Sequence, residues 1–251
     1  MRYNAQNYIE TNFHLTKVKR QTLNSDKAYK PMTIKTFWKD PYLTELETSI
    51  TSVNEDCITL AETIFYAFSG GQESDAGSIG TYPVLKAEKK STEIYYTLPK
   101  GHTLKTGDAV QVIIDWHRRY QLMRLHFAAE IVLELVSQQC PNIIKVGAHI
   151  SQNKARIDFK WDRPISPLLH LIEQEAQNII DAQLPILSAF SDETSERRYW
   201  KIDGFAQVPC GGTHIKNTEE VGIIQLKRAN PGKGQERIEI FVKDRPQIAG
   251  G

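Results

Sequence analysis

The sequence predicts an α+β protein in which a small β-barrel domain at residues 32–116 is followed by an α+β domain at residues 117–251, with an antiparallel sheet and long helices. Three observations support this prediction. Short runs of β-branched and aromatic residues, separated by glycines, fill the first part. The apolar spacing becomes helical near Arg119. Strand-like segments, one pair flanking a Pro-Gly turn, return in the second part.

The composition is that of an ordinary globular protein. The chain has 251 residues, a net charge of +1, 40% hydrophobic and 24% charged residues, so neither general disorder nor a global basic field is expected. Three cysteines do not make a disulfide framework and suit a reducing compartment. No apolar run approaches the ~20 residues of a membrane helix, and the polar N-terminus does not resemble a signal peptide. We therefore expect a cytoplasmic protein.

The N-terminal half divides into an extension and a strand-rich part. Residues 1–31 are polar and weakly periodic, which predicts an ordinary arm or an arm that contacts nucleic acid. Glycine-rich turns then separate five segments that favour strands because they are rich in β-branched and aromatic residues: residues 50–53, 57–60, 64–68, 94–96 and 110–114.

Two helices are predicted in the second half. From Arg119 the apolar residues share one helical stripe, and neither proline nor glycine interrupts the run before Pro141. A second helix is expected over residues 166–183, where Ser166 can cap the first turn and Pro167 fits within it. The remaining elements are predicted strands at residues 143–150, 156–161, 221–227 and 237–242.

The first candidate ligand pair lies on the first helix. His126 and Glu130 are four residues apart and therefore share a helical face. An imidazole and a carboxylate at this spacing can bind one metal ion, although a surface His–Glu pair is the more common reason for such spacing.

The second candidate lies in residues 209–214, which read Pro-Cys-Gly-Gly-Thr-His. The two glycines let the backbone turn closely, so that Cys210 and His214 can converge on one ion. Zinc binds sulfur and nitrogen donors and needs three or four of them. The helix pair could supply the others, and a glycine-rich turn with a chance cysteine and histidine is the alternative.

Two further features have a structural and a functional interpretation. Gly70, Gly71 and Gln72 form a glycine-rich loop that no Gly-Lys-Ser/Thr follows, so it is not a phosphate loop; a plain barrel turn is the simpler interpretation. Basic residues form a solvated face or contact phosphates, and they include Arg118, Arg119, Lys233 and Arg237.

Taken together, these motifs resemble the alanyl-tRNA editing proteins, the free-standing relatives of the alanyl-tRNA synthetase editing domain. Residues 210–214 resemble the family's Cys-x-x-x-His zinc motif, and residues 124–130 resemble its His-x-x-x-His helix motif. Residues 115–120 are similar to the Asp-Trp-x-Arg-Arg segment that precedes that helix. Residues 37–42, 65–77 and 232–239 resemble the family's opening, glycine-rich loop and C-terminal hairpin, so the likeness spans residues 32 to about 243.

The resemblance implies hydrolysis, in trans, of tRNA(Ala) mischarged with serine or glycine, at a zinc (Zn2+) site that includes His126, Cys210 and His214. Glu130 stands where the family has its second histidine, and so it is expected to be a fourth ligand or a base. Thr213 is expected to contact the serine hydroxyl.

Other residues are assigned from the same resemblance. Residues expected to line the substrate site are Gly70, Gly71, Gln72, Phe127, Gly211 and Gly212. Residues expected to contact the tRNA(Ala) acceptor stem are Arg118, Arg119, Lys233 and Arg237.

The chain departs from the family pattern at the helix motif, which has Phe127 in place of a threonine and Glu130 in place of a histidine. These departures keep two alternatives open. One is a catalytically impaired homologue that binds tRNA or metal, and the other is a metal-dependent hydrolase of a small ester or amide.

Overall fold

A computed structural model of the protein describes residues 32–232 and 234–246. The N-terminal extension predicted at residues 1–31 and the predicted phosphate contact Lys233 lie outside these ranges. The described chain combines helices with antiparallel sheets, so the prediction of a mixed α and β protein is confirmed.

The N-terminal half is built from short strands. They are β1 (Ile34–Lys35), β2 (Glu45–Asn54), β3 (Cys57–Leu60), β4 (Glu62–Thr63), β5 (Gly77–Ile79), β6 (Tyr82–Pro83), β7 (Lys86–Lys90), β8 (Glu93–Thr97) and β9 (Ala109–Ile114). Seven of them form one sheet in the order β6-β5-β9-β2-β3-β8-β7, and β1 pairs with β4. A 3-10 helix, Thr36–Trp38, follows β1.

This seven-stranded sheet is curled. The first part of β2 pairs with β9 and its second part pairs with β3, with a register shift between Ile50 and Ser52. Such irregularities bend a strand and increase its twist. Because no ladder joins the edge strands β6 and β7 in the described part of the chain, a closed barrel stays a prediction.

Residues 64–68 differ from the strand predicted for them. Ile64, Phe65, Tyr66 and Ala67 are all buried, but they follow the short strand β4 without continuing it. Their backbone groups bond to side chains instead: Asp75 accepts from the Tyr66 N–H at 2.6 Å, and Tyr96 donates to the Phe65 carbonyl at 3.3 Å. A continuous apolar run satisfied in this way is not distinguishable from a strand by pattern alone.

The C-terminal half contains two helices and two sheets. Its elements are α1 (Trp116–Gln139), β10 (Ile144–Ile150), β11 (Ala155–Lys160), α2 (Ser166–Asp181), β12 (Leu187–Asp192), β13 (Arg197–Ile202), β14 (Ala206–Pro209), a 3-10 helix (Thr218–Val221), β15 (Ile223–Gly232) and β16 (Gln235–Lys243). Strands pair in the orders β10-β11-β16-β15 and β12-β13-β14. Both helices contribute buried side chains to a core shared with β11, β15 and β16.

The helix boundaries follow from local chemistry. Asp115 caps α1 by accepting from the Arg118 backbone N–H at 3.1 Å, so the helix begins three residues before Arg119. The second helix begins at Ser166 with Pro167 in its first turn, as predicted, but no side chain caps it, so the expected cap by Ser166 is wrong. Ile172, Ala176 and Ile180 form its buried face.

Two apolar clusters lie on either side of the connection between β9 and α1. One is built mainly from the curled sheet, and the other from the two helices and the C-terminal strands. The boundary between residues 116 and 117 stays a prediction, because the described residues from Met32 onward form one compact unit. No helix among the described residues has the length and apolarity that a membrane span requires.

Candidate metal centre

Four potential ligands from distant parts of the sequence meet at one point. His126 and Glu130 lie one turn apart on α1, and Cys210 and His214 lie in the segment that follows β14. The donor atoms of His126, Cys210 and His214 all lie within 4.8 Å of one another. The structure thus brings the two predicted ligand pairs together, although 80 residues separate Glu130 from Cys210.

The spacing of the donor atoms suits a zinc ion. Tetrahedral zinc–ligand bonds place neighbouring nitrogen and sulfur donors about 3.5 Å apart. The Cys210 Sγ lies 3.5 Å from His126 Nε2 and 3.3 Å from His214 Nε2. Two imidazoles and a thiol are also the donor types that zinc prefers.

Glu130 lies at the edge of this cluster. Its Oε1 is 3.2 Å from His126 Nε2 and 3.3 Å from Cys210 Sγ. Its Oε2 accepts a hydrogen bond from Trp200 Nε1 at 3.1 Å. One carboxylate oxygen is therefore held away from the cluster while the other faces two of the three ligands.

Hydrogen bonds orient both imidazoles. The Nδ1 of His126 lies 2.7 Å from Gln72 Oε1, an acceptor, so Nδ1 carries the proton and Nε2 faces the cluster. The Nδ1 of His214 lies 2.9 Å from the hydroxyl of Ser188 on β12. Partners of this kind fix the orientation of metal-binding histidines.

Both imidazoles of the cluster are buried, and the charges of its members shift one another's pKa values. Burial lowers the pKa of His126, but Cys210 and Glu130 outweigh this effect and raise it to about 10. Burial works against ionisation of Glu130 as well, yet its hydrogen bond to His126 and the neighbouring imidazoles lower its pKa to about 2. Burial lowers the pKa of His214 to about 3. These shifts favour a cationic His126 beside an anionic Glu130, so a metal ion that binds His126 Nε2 would displace the proton there.

Glycines allow the close approach of these segments. A Cβ at Gly212 would lie 1.9 Å from His126 Cε1, so any side chain there would displace the imidazole. A Cβ at Gly71 would lie 2.5 Å from the Ala148 carbonyl oxygen, and its φ of +90° is in the left-handed region. Gly70 is also in that region, at +60°, and is exposed.

The glycine-rich loop is joined to the edge of the C-terminal sheet. The Gly71 carbonyl accepts from the Ile150 N–H at 2.8 Å, and the Ile150 carbonyl accepts from Glu73 at 3.0 Å. Gln72 is therefore held between β10 and the cluster. Its amide also donates to Thr213 Oγ1 at 2.8 Å.

The remaining residues of the predicted substrate site lie in different surroundings. Phe127 is fully buried and packs edge-on against the rings of Trp200 and His214. Thr213 is 1% exposed. Gly211 is exposed, and its carbonyl accepts from Trp38 Nε1 at 2.8 Å.

The prediction that Arg119 contacts a phosphate is wrong. The side chain is fully buried, forms an ion pair with the equally buried Asp75, and donates to the carbonyls of Pro41 and Ile64. A phosphate cannot reach it in this structure, so Arg119 is not a phosphate contact. The helical position of an arginine did not reveal that this side chain points into the protein.

The two other described arginines keep some exposure. The Arg118 guanidinium bonds to Glu73, Gln152 and the Ser74 carbonyl, and 20% of its side chain is exposed. Arg237 forms a bidentate pair with Asp158. Each guanidinium is already paired with a carboxylate, so each would present a partly neutralised positive charge to a binding partner.

Two orienting residues were not predicted from the sequence. Ser188 and Trp200 lie on β12 and β13, which bring them beside His214 and Glu130. Neither belongs to a motif, and serine and tryptophan at strand positions have many other uses. Only the pairing of these strands in one sheet indicates their role.

A family model matches part of the C-terminal half. Residues 201–239 match the family model described as the second additional domain of threonyl and alanyl tRNA synthetases. The cluster's Cys210 and His214 lie within that match.

Full-length similarity is more specific. The chain is 30% identical to alanyl-tRNA editing protein AlaX-M of Pyrococcus horikoshii, over 84% of this chain and 99% of that protein. It is 31% identical to the protein of the same name from Methanosarcina barkeri, over 85% and 100%. It is 29% identical to alanine–tRNA ligase of Methanococcus maripaludis, over 81% of this chain and 25% of the ligase. The chain belongs to the alanyl-tRNA editing protein family.

Proposed function

We propose that the protein hydrolyses the ester bond of tRNA(Ala) mischarged with serine or glycine, acting in trans at a zinc site. Family membership makes the chain an aminoacyl-tRNA deacylase. The observation that carries the more specific proposal is the convergence of His126, Cys210 and His214 around one point.

Zinc is the metal that fits these residues best. The two imidazole nitrogens and the thiolate would hold it, and the separations of 3.5 and 3.3 Å between the sulfur and the two nitrogens are those of neighbouring tetrahedral ligands. At a site with three protein ligands, zinc supplies Lewis acidity and an activated water for ester hydrolysis. Gln72 and Ser188 keep both imidazoles turned toward the ion.

Glu130 has two possible roles in this scheme. Its Oε1 is close enough to His126 and Cys210 to act as a fourth ligand. Alternatively, it accepts the proton that the attacking water loses, a role that needs an ionised carboxylate within hydrogen-bond reach. The hydrogen bond from Trp200 holds the carboxylate in place for either role.

The substrate amino acid is expected next to the Gly-Gly-Thr segment. Thr213 Oγ1 already accepts from Gln72, which leaves its own proton free to donate to a serine hydroxyl. Gly70, Gly71, Gly211 and Gly212 allow close approach of a ligand to the backbone. Phe127 acts from behind His214 and limits how that ring can move.

The proposed partner is the acceptor stem of tRNA(Ala). Arg118 and Arg237 are candidate phosphate contacts. Lys233 is a third candidate, proposed from the sequence pattern alone. A second site that hydrolyses serine and glycine esters is useful because a synthetic site for alanine cannot strongly reject close analogues. Activity of this kind belongs in the cytoplasm, which stays a prediction.

The central experiment measures deacylation of seryl-, glycyl- and alanyl-tRNA(Ala), together with the metal content of the purified protein. We expect hydrolysis of the seryl or glycyl ester, sparing of the alanyl ester, about one zinc per chain, and loss of activity with a chelator. Activity that survives complete metal removal would overturn the metal-dependent mechanism.

Two substitutions separate the roles of Glu130. Glu130→His restores the family's ligand type, so a ligand role predicts retained or tighter zinc binding with activity preserved. Zinc retained with activity lost in both Glu130→His and Glu130→Gln would indicate the proton-accepting role instead.

One alternative has its own structural support. Phe127 and Glu130 stand where the family has threonine and histidine, which favours a homologue that binds tRNA or metal without hydrolysis. Tight tRNA binding with no deacylation of any of the three esters would support it. Zinc without tRNA binding would instead favour a hydrolase of a small ester or amide.

A further inference from the structure

A separate cavity lies directly behind the Gly-Gly-Thr-His segment. Its volume is about 220 Å³, and it is lined by Gly212, Thr213 and His214, the last of which belongs to the cluster. The opposite wall comes from the N-terminal half, through Trp38 and Lys39. The cavity is therefore adjacent to the proposed reaction centre without being the ligand cluster itself.

Arg198 on β13 lines this cavity, and among the described residues no carboxylate forms an ion pair with it. It is 5% exposed, and its terminal nitrogens donate to the carbonyls of Gly212 at 3.3 Å and Trp38 at 2.9 Å. Its guanidinium also lies over the rings of Trp38 and Phe190. The Nε is buried and has no hydrogen-bond partner in the described part of the protein.

A buried cation without an anion is costly. Removing a guanidinium from water is compensated only when hydrogen bonds and an opposite charge replace the solvent. The protein supplies two carbonyls and two aromatic faces, and burial still lowers the pKa of Arg198 to about 10. The side chain is thus cationic at neutral pH. The nearby Cys210 and Tyr66 favour its charged form without offsetting burial, and no carboxylate in the described part of the protein forms an ion pair with it.

Two lysines add to the positive charge of the cavity. Lys39 and Lys216 both line it and are exposed. Lys216 lies 3.3 Å from Asp40 and over the ring of Tyr42, so part of its charge is offset. Three cations against that one neighbouring carboxylate leave the cavity suited to an anion.

We infer that this cavity binds the 5′-phosphate of the 3′-terminal adenosine of tRNA while the aminoacyl ester lies at the metal cluster. This inference rests on the proposed function. The sign of the charge favours the phosphate over the amino acid, because a positive cavity repels the α-ammonium group of an aminoacyl ester. Lysine and arginine side chains are the usual partners of phosphate groups.

The first test measures binding without catalysis. Calorimetry compares adenosine 5′-monophosphate with adenosine, which differ only in the proposed anion. We expect the monophosphate to bind at least about tenfold more tightly, as one or two charge-assisted contacts allow. Equal affinities would overturn the inference, and so would inorganic phosphate binding as tightly as the nucleotide, which would indicate an adventitious ion only.

Variants then locate the phosphate. Lys39→Met and Lys216→Met together should remove the difference between nucleotide and nucleoside, whereas Lys100→Met, at an exposed lysine outside the cavity, should preserve it. Arg198→Lys keeps the charge and should retain part of the difference, and Arg198→Met should lose it. Zinc content is measured for each variant, because Arg198 also contacts the Gly212 carbonyl. A difference that persists in the double lysine variant would overturn the assignment.

The second test separates this inference from the proposed function. Hydrolysis of 3′-O-seryl-adenosine is compared with that of its 5′-monophosphate, and we expect the phosphate to lower KM by about tenfold with little change in kcat. If neither ester is hydrolysed, the proposed function fails while the binding result still decides the anion site. If both are hydrolysed equally well, the inference fails while the proposed function survives.

Discussion

The two halves of the described chain contribute to the metal cluster in different ways. All four candidate donors come from the C-terminal half, from α1 and from the segment after β14. The curled N-terminal sheet supplies none of them, yet its glycine-rich loop supplies Gln72, the hydrogen-bond partner of His126. One half thus provides the ligands and the other provides part of their orientation.

The connection between the halves is polar and buried. Arg119 extends from α1 into the N-terminal half, where it binds Asp75 and two backbone carbonyls. Gln72 extends the other way, from the N-terminal half to His126 and Thr213. Because buried polar networks tolerate few arrangements, these contacts restrict how the loop meets the helix. Five substitutions test this division of roles.

The largest effect is expected at a ligand. Cys210→Ala removes the central donor, so zinc should be lost and deacylation should fall by about 10³-fold, since a metal supplies several kcal/mol to such a reaction. Zinc content and single-turnover hydrolysis of seryl-tRNA(Ala) measure this. Cys57→Ala is the control, because Cys57 lies on β3 outside the cluster. Full activity in Cys210→Ala would rule out the metal role of the C-terminal half.

The next effect concerns the connection. Arg119→Met leaves the Asp75 carboxylate buried without its partner, and breaking such a pair costs about 3–5 kcal/mol of unfolding free energy. Urea denaturation measures the loss. Arg163→Met is the matched control, because Arg163 and its partner Asp162 are both highly exposed and such pairs contribute about 0–1 kcal/mol. Equal stability losses in the two variants would contradict the anchoring role of Arg119.

A smaller effect is expected when orientation alone is changed. Gln72→Met keeps the length of the side chain but removes the acceptor for His126, and the loss of such a partner typically lowers metal affinity by about 10–100-fold. Competition with a chromogenic chelator measures this affinity. Ser188→Ala makes the corresponding change beside His214 from within the C-terminal half.

These two variants sharpen the comparison when measured together. Similar losses would mean that both halves orient the ligands, and an effect in Ser188→Ala alone would mean that the C-terminal half suffices. Gln111→Ala, on the curled sheet, should leave zinc affinity unchanged, because the Gln111 side chain donates to the exposed Glu45.

The smallest effect is expected at the surface. Arg118→Gln removes one candidate phosphate contact that is already paired with Glu73, so tRNA affinity should fall only a few-fold and the salt dependence should weaken by about one unit of slope. Filter binding across a salt series measures both. An unchanged slope of the salt dependence would mean that Arg118 contacts the loop residues Glu73 and Ser74 and no tRNA phosphate.

Much of the secondary structure could be predicted from local pattern. The helices near Arg119 and Ser166 and the C-terminal hairpin strands were expected, because apolar periodicity and turn residues act over a few positions. Residues 64–68 were predicted as a strand and are not one, because side chains distant in the sequence satisfy their backbone groups. Local pattern contains no information about such partners.

The residues of the candidate site show the same difference between local sequence pattern and long-range contacts. His126, Glu130, Cys210 and His214 were identified from residue type and spacing together with the family resemblance, because either pair alone also has an ordinary structural interpretation. Ser188, Trp200 and Arg198 were not identified, since their residue types have many uses. Arg119 was expected at the surface and is buried.

The sequence by itself determined the candidate ligands, the helix that carries two of them and the family to which the chain belongs, because these depend on chemistry and periodicity within short segments. Only the tertiary structure decided which polar residues face the ligands, which arginines remain accessible and where an unpaired guanidinium lines a cavity. Those properties depend on how distant segments pack, and the packing fixes the solvation and the partners of each charge.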